Sequence, residues 1–449
     1  MTKTISKSSY IRGMKCPKSL WLHFFQPEER DEISESQQNI FDTGHNVGFL
    51  AQQLFPGGID ASRGEPGKVA EAVEYTRELI NNGQAVIYEA AFSDGEVLCY
   101  MDILVREKDH WNAFEVKATT SVKPYHVQDA AFQYFVIKKA GLPLKDVFLV
   151  HLNNQYVRRG AIDVQQLFTK EKLTDIVLPV QDSIPGNLGA LKLMLATGNV
   201  SNIAMGPHCT SPYPCDFMEF CQRGIVMEQE EANPRPASRN QAELDHFKSQ
   251  LKYPLFFFDF ETIMPPVPYH DESRPYQQLP FQYSLHVVRA PEMMDRPEHY
   301  YYLGTPPDDP RPALIETLLS QIGTVGSILV WHQSFEIKRL EELGRDFPQY
   351  ATQIDTIFPR IVDLIVPFRR KYFYTPEMNG SASLKSVFPA LVHDLSYDDL
   401  AIQEGSTASM TYLSIYDDPD PESVAKKRND LLKYCWLDTM GMVRILELI

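Results

Sequence analysis

Along this chain the spacing of apolar positions changes repeatedly, and each change marks an element. Near the start, Leu20, Trp21, Phe24 and Phe25 fit one helical face, with Ser8 or Ser9 placed to cap a short helix before them. Val47, Leu50, Ala51 and Leu54 are again helix-spaced, and Pro56-Gly57-Gly58 ends that element. AVEYTRELI predicts a helix. AVIYEAAF and VLCYMDILV predict two strands joined by a turn at SDGE, and AFEVK a third. An amphipathic helix then runs up to Gly141, and DVFLVHLN reads as a buried strand. Helix, linked strands, helix, strand is the order of a mixed α/β domain.

The second half repeats the exercise with different strands. VMEQEEANPRPASRNQAELDHFKSQ is polar, charged and holds two prolines, so it reads as a linker followed by a short helix. Leu255–Phe258 is an apolar run of the fully buried kind, with PFQYSLHVV and EHYYYLG as meander partners. SILVW is a strand leading into a helix capped around Ser334, SASLKSVFPAL is a short helix, and RNDLLKYCWLDTMGMVRILELI is a terminal one. The expected organisation is two domains, 1–228 and 251–449, joined by a linker at 229–250.

Composition narrows the class. The 449 residues are 43 % hydrophobic and 23 % charged, which is ordinary for a soluble globular protein. There is no apolar run of about 18 residues and no apolar signal-peptide core, so the expectation is a cytoplasmic protein without a membrane partner. The formal net charge of −16 argues against broad coating of nucleic acid. A nuclease stays open, since basic patches and bound metal offset such a charge locally at a cleft. Six cysteines in a chain this long are not a disulfide framework.

The candidate chemistry of the first half lies in Met101–Lys117. Glu115 and Lys117 are two apart on a strand and project together, and strand pairing can bring Asp102 beside them. Two carboxylates bind a hard divalent cation, and the lysine can orient a water or stabilise a pentavalent phosphate transition state. Glu89 interrupts an otherwise apolar strand, where burial is costly without a cation. His45 starts a helix, and Gln128, Gln133 and Tyr134 lie on or near the face of another. Cys209, Cys215 and Cys221 are spaced C-x5-C-x5-C. They read as free thiols, as a zinc site completed by His208, or, with the distant Cys16, as the four thiolates of an iron–sulfur cluster. Cys99 and Cys435 sit in apolar settings and read as core residues.

With these residues in view, the first half resembles RecB-type nucleases of the PD-(D/E)xK superfamily, over roughly residues 5 to 225. The similarity is greatest to the subgroup carrying a four-cysteine iron–sulfur cluster, such as AddB-type recombination nucleases and CRISPR spacer-acquisition nucleases. It rests on Gly44-His45, Glu89, Asp102, Glu115-Val116-Lys117, the Gln133/Tyr134 helix, CPKSLWL around Cys16 and PYPC around Cys215. It implies a restriction-endonuclease-like fold in which His45, Asp102 and Glu115 hold Mg2+ or Mn2+ and Lys117 assists the attacking water. It also implies a [4Fe-4S] cluster on Cys16, Cys209, Cys215 and Cys221.

In the second half, Asp259 and Glu261 stand two apart at the end of a buried strand, placing both carboxylates at a sheet's rim. Glu336 lies in a helix's first turn, where the dipole also favours it. Tyr434 and Asp438 are helical neighbours. This half resembles the DnaQ-like exonucleases of the ribonuclease H-like fold over roughly residues 251 to 449, with D-x-E at Asp259–Glu261 and Y-x3-D at Tyr434–Asp438. Where that family offers Asn and Asp, this chain has Gln333 and Glu336. The resemblance implies that Asp259, Glu261, Glu336 and Asp438 clamp two metals while Tyr434 orients water. The expectation is an α/β, two-domain, metal-dependent nuclease acting on single-stranded DNA or RNA, with DNA ahead of RNA. The alternative is a nucleic-acid-binding scaffold or processing-complex subunit with one or both lobes inactive, the C-terminal one first.

Overall fold

The computed structural model describes residues 3–33, 35–62, 68–198, 203–223 and 236–449. The chain divides into two compact units, Met1–Met227 with Pro266–Pro275, and Glu228–Pro265 with Tyr276–Ile449. Residues 229–235 of the expected linker lie outside the described residues, while Gln241–Ser249 is a helix of the second unit capped by the Asn240 side chain. Both units are mixed α/β. Among the described residues no helix is long and apolar enough to cross a membrane.

The first unit is built on one sheet. Its strands are β1 (Ile5–Ser6), β2 (Ile59–Asp60), β3 (Val86–Ser93), β4 (Val97–Glu107), β5 (His110–Lys117), β6 (Leu144–Leu152) and β7 (Phe168–Lys172). Their order is β2-β3-β4-β5-β6-β7, with β1 adding to β4 in parallel. β3, β4 and β5 form an antiparallel meander, and β6 lies parallel to β5 after the crossover helix Pro124–Lys139. That helix buries Ala130, Ala131, Phe132, Val136 and Ile137 in the same core as Met101, Leu104, Ala113 and Leu149 of the sheet. The opening helix is Lys7–Lys15, and its cap is Ser6, whose hydroxyl accepts the Ser9 amide, rather than Ser8 or Ser9. Cys16 separates it from the helix Pro17–Phe25.

The second unit centres on a five-stranded sheet. After β8 (Ser238–Arg239) come β9 (Leu255–Ile263), β10 (Leu279–Val288), β11 (Glu298–Leu303), β12 (Ser327–Val330) and β13 (Ile361–Asp363), in the order β11-β10-β9-β12-β13. The meander β9-β10-β11 is antiparallel, and β12 and β13 continue in parallel from β9. A short strand, β14 (Phe373–Tyr374), pairs only with β8 among the described residues. Strand alternation sends Phe257 to one core, shared with Met442 and Ile445 of the terminal helix Pro421–Leu448. Phe256, Phe258 and Phe260 enter a second core on the opposite face, with Leu314, Leu318, Leu340 and Leu343 of the helices Arg311–Ile322 and Gln333–Asp346. Burial on both faces is why β9 reads as a continuous apolar run. The helix at 333 is not capped by Ser334: its cap is His332, in a left-handed conformation, and the Ser334 hydroxyl instead pairs with the His332 ring.

Phe257 is fully buried beneath the face that carries Asp259. Phe257→Ala is expected to cost the second unit about 3–5 kcal/mol, read as a lower urea midpoint.

Candidate functional site

Strand register aligns three carboxylates across the first sheet. Tyr88 pairs with Ile103 and Ala90 with Met101, so Glu89 faces Asp102 across β3 and β4. Ile103 pairs with Phe114, so the next step places Asp102 opposite Glu115 across β4 and β5. The ladder opens along this row. Glu89 sits at φ +49°, a left-handed conformation that costs a non-glycine residue roughly 1–3 kcal/mol. Asp102 takes the Val116 amide on its own carboxylate at 2.6 Å. Burial, then Asp102 and Glu115, push the Glu89 carboxyl up to about 8. Burial and Glu115 push Asp102 up to about 7.

Glu115 is different because it is saturated with donors. Its Oε1 meets Lys117 Nζ at 2.7 Å and Lys7 Nζ at 2.6 Å, and its Oε2 accepts from Gln133 Nε2 at 2.5 Å. Burial alone would raise its pKa, yet Lys117 and Lys7 together hold it well below the usual carboxylate range. Lys117 is held in turn by Asp129 at 3.0 Å. Gln133 also donates to the Tyr100 carbonyl at 2.9 Å. Gln133 reaches the site, whereas Tyr134 packs in the core, where burial and Asp146 raise its pKa. His45 is exposed on the helix Glu35–Gln52, and its ring joins Asp102 and Glu115 in no group with ligand atoms within 4.8 Å of one another. Sequence reasoning missed Lys7 and Asp129. No spacing rule links Lys7 to a residue 108 positions away.

The four cysteines line one cavity. Cys16, Cys209, Cys215 and Cys221 surround it with His208, Ser19 and Phe217. Cys16 holds the N-cap position of the helix Pro17–Phe25, where burial raises its thiol pKa and the nearby Ser19 and Lys18 amides partly offset that rise. Side-chain contacts lace the segments together. Arg12 holds Asp216 at 2.5 and 2.9 Å, and Arg30 adds a contact at 3.1 Å. The Asp31 carboxylate accepts the Met218 and Glu219 amides at the start of a short helix. One zinc, with Zn–S near 2.3 Å, would draw its thiolates to within about 4 Å of each other. No three of these cysteines, nor two with His208, come within 4.8 Å of one another. Thiolates on separate corner irons of a cluster stand farther apart, and four cysteines facing one cavity are the donor set that such a cluster uses.

The second unit gathers its acids more tightly. Asp259, Glu261 and Cys435 bring ligand atoms within 4.8 Å of one another, and among the described residues they are the group of metal-ligating type that does so. Asp438 joins them electrostatically from the terminal helix, accepting Lys385 Nζ at 3.3 Å and a short bond from the Tyr397 hydroxyl. Burial and Asp438 push Asp259 up to about 8. Burial, Asp259 and Asp438 raise Glu261 well above its ordinary value, and burial raises Asp438. Burial and then Asp259 push Glu336 up to about 9, and its buried Oε2 has no hydrogen-bond partner. The five-carbon acid at 336 therefore does reach toward Asp259. Asp363, on the neighbouring strand, takes the His332 and Ile365 amides instead. The Tyr434 phenol faces Asp438, Glu261 and Asp259. Lys385 lies over the Tyr397 and Tyr434 rings at 3.2 and 4.4 Å. Lys385 and Tyr397 were not singled out in the sequence, and Cys435, read there as core, is buried against the acids. An open groove beside Asp259 and Glu336 is walled by Gln278, Trp331, His332, Phe335 and Lys338.

Known proteins offer similarity without an activity. Residues 256–383 match a family model described as a domain of unknown function, DUF2779. That stretch carries Asp259, Glu261 and Glu336 but stops short of Lys385, Tyr434 and Asp438. An uncharacterized protein, MG366 homolog, of Mycoplasma pneumoniae is 26 % identical over 219 residues, covering 44 % of this chain and 33 % of that protein. Uncharacterized protein UU173 of Ureaplasma parvum serovar 3 is 24 % identical over 227 residues, covering 46 % and 32 %. The chain thus spans about a third of the length of these relatives.

Raised carboxyl pKa values make the metal-free protein pH-sensitive. Asp259 and Glu336 bind protons in the folded state up to about pH 8 and 9, whereas unfolded carboxyls release them near pH 4. The folded state therefore binds more protons across this window, and stability falls as pH rises from about 5 to 9. Thermal melts of chelator-treated protein are expected to show that decline, and saturating Mn2+ to flatten it. A flat profile without metal would mean the acids do not share one buried site.

Proposed function

We propose that this chain is a bifunctional metal-dependent nuclease that hydrolyses phosphodiester bonds of single-stranded DNA or RNA. One observation carries the reading. Two separate sheets each bury several carboxylates against one another, an arrangement that apolar packing does not reward and a divalent cation relieves. The first unit is read as a PD-(D/E)xK-type nuclease. Glu89, Asp102 and Glu115 would hold Mg2+ or Mn2+; His45, the further ligand the resemblance implies, lies exposed on its helix and is not grouped with them. Lys117, fixed by Asp129, is the ammonium beside the attacking water. Gln133 holds Glu115 in place through an amide whose other donor contact is the Tyr100 carbonyl.

The second unit is read as a DnaQ-like 3′–5′ exonuclease. Its strand order, an antiparallel meander continued by two parallel strands, supports a ribonuclease H-like fold. Asp259, Glu261, Glu336 and Asp438 would hold two ions, and Tyr434 and Lys385 line the approach to them. Divalent cations bound there would lower the pKa of a water and neutralise the leaving oxygen. Cys16, Cys209, Cys215 and Cys221 would carry a [4Fe-4S] cluster with a structural role, closing the loop between the first helices and the segment after the sheet.

Anaerobic assays with Mn2+ on end-labelled single- and double-stranded DNA and on RNA test the reading. Lys117→Ala and Asp259→Ala are each expected to remove a different product pattern by at least about 100-fold. Loss of all activity in Lys117→Ala alone would make the second unit a binding module, and an inert wild type would overturn the reading. Purified protein is expected to absorb near 400 nm (about the range of thiolate-to-iron charge transfer), and Cys215→Ala to lose that band together with solubility. A soluble, active, colourless Cys215→Ala would count against the cluster.

A further inference from the structure

Glu115 carries more positive charge than a nuclease lysine alone would bring. Two ammonium groups share its Oε1, one from Lys117 on the same strand and one from Lys7 at the first position of the opening helix. A lysine at that position is set against the helix dipole, whose positive end it occupies. Something other than helix stability places it there. β1 fixes it, pairing Ile5 with Val97 and Ser6 with Leu98 so that the chain enters the site beside β4. At the far end of the same helix, Arg12 grips Asp216 and Lys15 donates to the Tyr213 carbonyl, both in the cysteine-bearing segment. Lys7 is thus delivered by a helix fastened at both ends.

The two lysines are not equivalent. Lys117 has a second carboxylate, Asp129, at 3.0 Å. For Lys7, Glu115 is the carboxylate within ion-pair distance among the described residues. A divalent cation on either oxygen of Glu115 takes up the negative charge that holds the two ammonium groups, so it weakens their hold. When a cation takes Glu115, Lys117 retains Asp129 in contact, whereas Lys7 loses its ion-pair partner and is left with the longer-range attraction of Asp102 and Asp129. Lys7 is about a quarter exposed, so it can turn outward to another anion. In a phosphodiesterase the anion that arrives is the substrate's phosphate. From this we propose that Lys7 is a displaceable cation of the first site: it neutralises Glu115 in the metal-free protein and pairs with a substrate phosphate oxygen once a divalent cation is bound. The proposal rests on the nuclease reading of the first unit.

The test uses the full chain and separates the two roles. Mn2+ alone is titrated calorimetrically into Asp259→Asn protein, so that the second unit does not mask the first, with Lys7 intact, as Lys7→Met and as Lys7→Arg. Removing the competing ammonium is expected to tighten Mn2+ binding roughly threefold or more in Lys7→Met, with Lys7→Arg close to Lys7. On end-labelled single-stranded DNA, Lys7→Met is expected to raise KM about tenfold with kcat changed by less than about threefold, and Lys7→Arg to restore KM. Unchanged Mn2+ affinity in Lys7→Met, or a lowered melting temperature with KM and Mn2+ affinity both unchanged, would reduce Lys7 to a structural anchor and overturn the proposal. If the wild type cleaves nothing, the nuclease reading falls by itself. The Mn2+ titration then still decides whether Lys7 competes for Glu115.

Discussion

Burying several carboxylates together is the constraint from which the rest of this structure follows. Each such group loses hydration and meets its neighbours at low effective dielectric, so the cluster must stay protonated, pair with cations or bind metal. The two units meet the constraint differently. In the first, Glu115 is ionised because two lysines and a glutamine converge on it, while Glu89 and Asp102 are pushed toward neutrality. In the second, one partly buried lysine, Lys385, faces Asp259, Glu261 and Asp438, and Glu336 adds a fourth acid beside Asp259, so all four are raised. The second cluster is therefore the more demanding of an added cation, and the first the more nearly balanced without one.

Scaffolding around each cluster is arranged to hold this cost. The acids of the second unit are spread over a central strand, a terminal helix and the helix after β12, with phenylalanines packed on both faces of the strand. Packing of that kind yields little, so it holds the acids at fixed separation. In the first unit the backbone itself yields, through the left-handed Glu89 and the Val116 amide diverted to Asp102. Strain there sits where three carboxylates line up, in keeping with outliers gathering at functional positions.

Much of this was legible from pattern. The strands around Asp102, Glu115 and Asp259, the crossover helix with Gln133 and the terminal helix with Asp438 all stand where periodicity places them, because strand and helix periods are local properties of the chain. The excursion Pro266–Pro275, which belongs with the first unit through bonds such as the Arg158 amide to the Ser273 carbonyl, was not legible. Caps were misread by two or three residues at Ser6 and by two at His332, since several side chains could serve and only the built turn selects the position. His45 shows the limit of reading a motif: its residue type fits a ligand, yet it lies exposed on its helix.

The amino-acid order alone determined which strands carry acids and which faces those acids share, because alternation along a strand depends on nothing but sequence position. It also determined that four cysteines were available, one of them far from the other three. Tertiary structure decided who meets them. It brought Lys7 to Glu115, Lys385 and Tyr397 to Asp438, Cys435 against Asp259, and Cys16 into one cavity with its three partners. It also turned Gln133 inward and left Tyr134 to the core. Such meetings depend on how sheets and helices pack across tens to hundreds of residues, and no local period encodes that register.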